Sequence, residues 1–240
     1  MIWNSFEGAF YGANPDLIIK ASDAPFMTGV TNMMNMFRNV TNLTGNFANW
    51  NTANVTNMSY LFAGATNFNR PINTRNISNV TNMSNMFNGV EAFNQPLNSW
   101  NVGKVQNMSY LFRGAESFNQ ALNSWNTNNV TNMEGMFQGA NGFNQALGNW
   151  DVGNVLNMMG MFQSATSFNQ SLTGWCVIQI PTEPSNFATS TLITGNRPHW
   201  GECESFVNFA RPFVFTRTVP AGSSCVMGNA GGTYNYTIDW

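Results

Sequence analysis

The sequence predicts an α/β solenoid, a single stack of 25-residue coils, each with a short parallel strand and a short helix, capped at both ends. The main evidence is a motif, Met-x-x-(Met/Leu)-Phe, whose spacing never slips. A rigid period of this length is typical of solenoid proteins. The motif places one phenylalanine every 25 residues, at Phe37, Phe62, Phe87, Phe112, Phe137 and Phe162.

The period divides the 240 residues into four segments. The repeats fill residues 30–175 as about six coils, after an N-terminal cap or degenerate coil at 1–29. We expect a C-terminal cap at 176–203, because the last coil of a solenoid exposes apolar surface that must be covered. Residues 204–240 resemble β-strands that begin, or link to, a further module. Two or three strands are not stable alone, so they should pair with the end of the solenoid, with a neighbouring chain or with sequence beyond the given residues.

Residues 97–121 illustrate one coil. The apolar residues at its start have the L-x-x-L-x-L spacing of a leucine-rich-repeat strand, which predicts a short strand around 100–102. The apolar residues that follow are three or four apart, which predicts about two turns of helix over 107–113. Gly114 would end that helix, since the position requires a residue that tolerates the left-handed conformation.

Two columns of asparagine recur with the same period, and we assign a structural role to both. The first precedes the methionines, where a helix N-cap would accept an unpaired backbone N–H, at Asn32, Asn57, Asn82, Asn107, Asn132 and Asn157. In the second column, stacked side chains can bond to the coils above and below. It consists of Asn69, Asn94, Asn119, Asn144 and Asn169.

A tryptophan column should help neighbouring coils to bury each other's apolar faces. It consists of Trp50, Trp100, Trp125, Trp150 and Trp175. Arg75 occupies the position between the first two members. We therefore expect this coil to be the weakest of the stack, unless its arginine marks a contact.

Composition and charge exclude several classes of protein. Only 8% of residues are charged and the net charge is −2, with no lysine or arginine cluster, which excludes a nucleic-acid binder. No run of 18 apolar residues is present, so we expect no membrane span. His199 is the only histidine, which argues against a histidine-based catalytic triad. The acidic residues do not recur at the fixed spacing of calcium-binding repeats, which argues against a calcium site. We expect a non-enzymatic protein without cofactor or metal.

The three cysteines follow the last full repeat, which favours a disulfide-stapled cap in an oxidising compartment over a metal site. Cys176 and Cys203 are expected to pair, with two buried thiols as the alternative. Cys225 is then left over, as a free thiol or a link to another chain. The N-terminus lacks the pattern of a secretory signal. An extracellular or cell-surface location is nevertheless the expectation.

Units of the form Trp-Asn/Asp-Val-x-x-Val-x-Asn-Met-x-x-Met-Phe-x-Gly-Ala-x-x-Phe-Asn-Gln, as at 150–170 with Ser164 in place of the glycine, carry a family resemblance. They resemble the BspA-like leucine-rich-repeat surface proteins, a 25-residue repeat family of bacteria. The resemblance covers about residues 2–203. It implies a secreted or surface-anchored protein, usually one module of something longer, with a role in adhesion or partner binding. It carries over no catalytic residue.

The predicted contact surface is the strand face, whose side chains point away from the core. Rows of amides with few charges suit a hydroxyl-rich glycan or a polar cell-surface protein, although a merely solvated face is an equally good interpretation. The candidate residues are Asn98, Asn101, Asn123, Asn126, Asn149 and Asp151. Tyr60 and Tyr110, on the predicted helical side, are a second candidate.

The sequence leaves two different functions open. The chain could be a building block of an extracellular filament, joined through self-association of residues 204–240. It could also bind ice through one column of threonines, which is interrupted by Gln106 and Leu156 and consists of Thr31, Thr56, Thr81 and Thr131.

Overall fold

The structure is a computed structural model that describes residues 5–13, 16–19, 27–45, 50–188 and 194–203, and the strand residues 228–229 and 232–233. Regular secondary structure in these ranges is sparse. Strand β1 (Ile18–Ile19) pairs in parallel with β2 (Thr44–Gly45), with Ile18 opposite Thr44. Strands β3 (Gly228–Asn229) and β4 (Gly232–Thr233) pair antiparallel, and Thr194–Asn196 forms a 3-10 turn. No helix in the described ranges is long and apolar enough to cross a membrane.

Successive 25-residue units lie one on the next. Single-residue parallel bridges join the first asparagine column from unit to unit, at Asn32–Asn57, Asn57–Asn82, Asn82–Asn107, Asn107–Asn132 and Asn132–Asn157. Equivalent residues of neighbouring units therefore form columns, and what the sequence repeats every 25 residues becomes a row along the stack.

A ladder of backbone hydrogen bonds holds the units together. In residues 33–39, alternate N–H groups donate to carbonyls of the next unit, as Phe37 does to Leu61 at 2.9 Å. Other N–H groups close turns within the unit, as Arg38 does to Asn35 at 3.1 Å. The segment is a run of tight turns in which alternate donors serve the neighbouring unit. We call this segment and its equivalents the ladder.

The helix predicted over 107–113 is absent, and its place is taken by the ladder segment. Tyr110 has a φ of 56°, which an α-helix cannot accommodate. The left-handed conformation expected at Gly114 and its equivalents is confirmed, with φ between 60° and 72° at Asn39, Gly64, Gly89, Gly114, Gly139 and Ser164. The column was recognised correctly, but it lies within a run of turns and does not terminate a helix.

The strand predicted around 100–102 is also absent. The chain turns there instead, because the Trp100 N–H donates to the Leu97 carbonyl at 3.0 Å and the Val105 N–H donates to that of Val102 at 2.8 Å. The spacing of three therefore marks turns that begin and end on buried residues. Such turns reproduce the apolar periodicity of a helix without its hydrogen bonds.

Aromatic columns run through the interior of the stack. The Phe112 ring lies 5.5 Å from that of Phe87 and 5.6 Å from that of Phe137, centroid to centroid. Trp125 stacks on Trp150 at 6.3 Å, and its indole N–H donates to the Leu97 carbonyl of the preceding unit at 3.0 Å. Each unit thus supplies both an apolar layer and the hydrogen bonds that fix its register.

Arg75 interrupts the tryptophan column. Its Nη1 donates to the Trp50 carbonyl at 2.9 Å, and burial lowers the pKa of its guanidinium to about 10. Beside it lies an apolar cavity of about 30 Å³, which touches Trp50, Phe62 and Trp100. A charged side chain and a void therefore stand where other units place an indole.

Both asparagine columns satisfy backbone groups. In the first, Asn57 Oδ1 accepts from the Ser59 N–H at 3.0 Å, which caps a turn where the sequence predicted a helix cap. In the second, the expected bonding between units is confirmed. Asn94 Oδ1 accepts from the Asn119 N–H at 3.0 Å and from Gln120 Nε2 at 2.9 Å.

Asn94→Ala should therefore lower the free energy of unfolding by about 1 kcal/mol, because two donors of the next unit lose their acceptor. Asn123→Ala is the matched control, since this exposed asparagine makes no hydrogen bond within the described ranges. Urea denaturation measures both values. Equal stability of the two variants would contradict the assigned role of the column.

Two further copies of the ladder extend the stack beyond the recognised repeats. Residues 6–12 bond to the unit that follows, as Phe10 N–H does to the Met36 carbonyl at 2.9 Å. Residues 184–188 receive bonds from the last repeat, as the Phe187 carbonyl does from Phe162 at 2.7 Å. The bridges Ser5–Asn32 and Phe162–Ala188 span 27 and 26 residues, so small insertions hide both copies from a strict period of 25.

The C-terminal cap closes the apolar end of the stack. Trp200 packs edge-on against Phe187 with ring centroids 4.8 Å apart. The predicted disulfide is confirmed, with the Cα atoms of Cys176 and Cys203 at 4.2 Å. Cys225, and residues 204–240 other than β3 and β4, lie outside the described ranges.

Candidate functional site

All six residues of the predicted amide rows are exposed, and none lies on a strand. Asn98, Asn123 and Asn149 lie in turns, whereas Asn101, Asn126 and Asp151 lie two residues before the next turn. Asn98 lies within the turn from Leu97 to Trp100, and its Oδ1 accepts from the Ser124 N–H at 3.1 Å. The rows therefore follow the same turn and the segment after it in three successive units, and they consist of Asn98, Asn101, Asn123, Asn126, Asn149 and Asp151.

Part of this surface serves the fold. The Oδ1 atoms of Asn101 and Asp151 accept the N–H of the residue two positions later, Gly103 at 3.1 Å and Gly153 at 3.0 Å. Asn126 makes the same contact at 3.3 Å. The Nδ2 groups of both asparagines donate no hydrogen bond within the described ranges, so they are the atoms available to a ligand.

Tyr60 and Tyr110 lie on a different side of the stack, in the ladder, where both have left-handed backbone. The Arg38 guanidinium carbon is 4.8 Å from the Tyr60 ring centroid and 5.6 Å from that of Tyr11. Arg113 is 5.6 Å from the Tyr110 ring centroid. Arginine over an aromatic face is a favourable cation–π arrangement. We call these residues, Tyr11, Arg38, Tyr60, Tyr110 and Arg113, the tyrosine–arginine strip.

The Tyr110 side chain is held from two directions. Its ring lies over Gly135 of the next unit, where a Cβ atom would come within 2.4 Å of the ring. Its hydroxyl donates to Glu134, whose other carboxylate oxygen accepts from Asn157 Nδ2 at 3.1 Å. This hydrogen bond to Glu134, with smaller contributions from burial and from the negative charge, raises the pKa of Tyr110.

A family model described as "Mycoplasma protein of unknown function, DUF285" matches residues 4–112 and 96–200. The chain belongs to this family. Comparison with curated proteins and with solved structures gave no match. The two DUF285 matches together include both ladder copies that the strict period misses, at 6–12 and 184–188. The family description assigns no activity, so the candidate residues of this DUF285 protein come from its own geometry.

Sequence reasoning identified Tyr60 and Tyr110 but missed their neighbours. Arg38 and Glu134 were not singled out, because their columns hold mostly other residue types: arginine recurs only at Arg113, and Glu134 does not recur. The available signal was the period itself. Tyr60 and Tyr110 belong to one column, and Arg38 lies three residues after a member of that column while Glu134 lies directly before one. His199 lies exposed in the cap. Within the described ranges, no three His, Cys, Asp or Glu side chains form a metal-binding group.

Glu134→Gln should lower the pKa of Tyr110 toward its ordinary value, because the hydrogen bond to a carboxylate and the negative charge of that carboxylate, which both disfavour the phenolate, are lost. Glu116→Gln is the control, since this exposed carboxylate makes no contact with Tyr110. A pH titration of tyrosine Cζ resonances, assigned with a Tyr110→Phe variant, measures the shift. An unchanged Tyr110 titration in the Glu134 variant would contradict the assignment of the raised pKa to the Glu134 carboxylate.

Proposed function

We propose that this DUF285 chain is a BspA-like leucine-rich-repeat solenoid that acts outside the cell as a non-enzymatic module for adhesion or partner binding. The stacked units and the family membership support the repeat architecture. The Cys176–Cys203 disulfide supports an oxidising location at the cell surface or beyond.

The tyrosine–arginine strip is the proposed contact surface, and the observation that carries this choice is the placement of Arg38 between two tyrosine rings. Tyrosine and arginine are enriched among the residues that dominate protein interfaces. Here the side chains project from a backbone that is hydrogen-bonded to the next unit, so little conformational entropy is lost when a partner binds.

The charges of the strip indicate the chemistry of the partner. Arg38 and Arg113 form no ion pair with a carboxylate among the described residues. Arg38 Nη1 donates to Asn35 Oδ1 at 3.2 Å, but each guanidinium group keeps further N–H groups that can donate to a carboxylate of a partner. A cell-surface protein that presents acidic side chains is the partner that fits best.

The amide rows are the second candidate surface, for a glycan. The specific observation in their favour is that Asn101 and Asn126 keep their Nδ2 donors free while Oδ1 is fixed in a turn. Their directions are thereby set, as selective hydrogen bonding to hydroxyl groups requires.

Binding of the native chain to a panel of immobilised extracellular-matrix proteins and to a glycan array tests both surfaces. Tyr60→Ala/Tyr110→Ala should abolish binding to an acidic protein, whereas Tyr60→Phe/Tyr110→Phe should retain most of it, because the rings remain. Asn101→Ala/Asn126→Ala serves as the matched variant of the other surface. Loss of binding only in the asparagine variant would replace the strip by the amide rows, and the absence of any bound probe would contradict the proposal.

Ice binding and a filament joined through residues 204–240 gain no support from the described residues. The filament joined through 204–240 depends on residues outside them, apart from β3 and β4. In the threonine column, the hydroxyls of Thr56, Thr81 and Thr131 donate to the preceding unit at 3.2 Å. The hydroxyl protons of this column are therefore not available to bind ice.

A further inference from the structure

The ladder has a polarity that is the same in every unit. On this side of the stack, N–H groups point toward the C-terminal end and carbonyls point toward the N-terminal end, as the pair Gly135 N–H to Met159 carbonyl at 2.9 Å illustrates. A ladder of this kind must end in unpaired acceptors at one end and in unpaired donors at the other.

The N-terminal ladder copy carries the unpaired acceptors. Every N–H group from Phe6 to Gly12 donates within the chain. The carbonyls that match those used in the inner units accept no hydrogen bond from the described residues, and they belong to Ser5, Glu7, Ala9 and Tyr11. Phe10 stacks on Phe37 with one face, at 5.4 Å, and is only partly buried. We call this surface the acceptor edge.

The C-terminal ladder copy carries matching donors. Asn186 has a φ of 56° and corresponds to Gly160, and Ala188 corresponds to Phe162. Neither N–H group donates to an acceptor among the described residues. Cap residues 194–203 bond elsewhere, as the Asn196 carbonyl does to the Leu172 N–H at 2.8 Å, so their bonds do not close this side. We call residues 184–188 the donor edge.

We propose that the acceptor edge binds the donor edge of a second copy of this chain, so that molecules associate head to tail. The register follows from the inner ladder. There, the N–H of the left-handed residue donates to a carbonyl of the next unit, that of the residue directly before the left-handed residue of that unit. Asn186 N–H would donate to the Glu7 carbonyl of the next molecule, and Ala188 N–H to its Ala9 carbonyl. This inference does not depend on the proposed binding function.

The same polarity excludes a symmetric dimer through the acceptor edge. Two such edges would place carbonyls against carbonyls, so a two-fold interface has no backbone hydrogen bonds to form. An interface between two different edges of identical molecules does not close on itself and produces open chains. Pro184 leaves the donor edge without an N–H at its first position. The contact is therefore weaker than an inner ladder, and association should depend on concentration.

Cysteine cross-linking tests the register. Glu7 and Ser185 are exposed and occupy equivalent ladder positions, each directly before a left-handed residue. Neighbouring strands lie about 4.8 Å apart, within the Cα range that a disulfide spans. In a Cys225→Ser background, Glu7→Cys and Ser185→Cys chains with different affinity tags are mixed under mild oxidation. The expected product is the mixed dimer, and a chain with both cysteines should form a series of longer oligomers.

Homodimers of either single variant at the level of the mixed dimer would overturn the proposal, as would a chain that carries both cysteines and stays monomeric. Sedimentation velocity provides an independent readout. Ala188→Pro removes one donor and should weaken association about fivefold, the equivalent of one net hydrogen bond. Ala188→Ser keeps the N–H and is the control, so equal association of the two variants would also overturn the proposal.

Discussion

Replacing Phe112 by alanine is expected to lower the free energy of unfolding by about 3–5 kcal/mol, the range for a fully buried phenylalanine. The ring is fully buried and packs against four others: those of Phe87 and Phe137 in its column, that of Phe118 at 4.1 Å and that of Trp125 at 6.3 Å. Its removal opens a cavity between two units at once. Urea denaturation followed by tryptophan fluorescence measures the loss.

Phe10→Ala is the matched control at the end of the same column. This ring stacks on Phe37 alone in its column and is only partly buried, so the same truncation should cost much less. A stack stabilised by contacts between neighbours requires this difference between centre and end. Equal losses at Phe112 and Phe10 would show that the units do not stabilise one another through this column.

The period of 25 allowed much of the column structure to be predicted, because a residue that recurs at fixed spacing must meet its own copies once the units stack. The second asparagine column shows this clearly, since the bonds of Asn94 to the next unit follow from repetition alone. Local conformation was harder to predict. Apolar residues three apart fit both a helix and a series of turns, and the positive φ at Tyr110 leaves no trace in that pattern.

The candidate surfaces were predicted unevenly for a related reason. The amide rows are periodic and were found, although their Oδ1 atoms proved to be engaged in turns, as at Asn101. The tyrosine–arginine strip depends on departures from the period, since the arginine of its column appears only at Arg38 and Arg113, and Glu134 does not recur. A single sequence does not distinguish such departures from tolerated variation. The contacts between units, such as Arg38 with Tyr60 and Tyr110 with Glu134, became visible only in the structure.

Arg75→Trp is expected to raise the free energy of unfolding by about 1–3 kcal/mol. The substitution removes a partly buried cation, whose desolvation is unfavourable, and it fills the cavity of about 30 Å³ beside it. An indole at this position would continue the column between Trp50 and Trp100, where the stack lacks one layer. The lost bond from Nη1 to the Trp50 carbonyl is a small cost, because Trp50 is only partly buried and water can replace the donor.

Arg70→Trp is the matched control, since Arg70 is exposed in the same unit and an exposed substitution usually changes stability by less than about 0.5 kcal/mol. The urea midpoint of the Arg75 variant should therefore rise while that of the Arg70 variant stays near the native value. A fall in the midpoint of the Arg75 variant would mean that the bond to Trp50 outweighs the cavity and the buried charge. Arg75 would then stabilise the contact between its own unit and the preceding one through the bond to Trp50, and the break in the tryptophan column would contribute to stability.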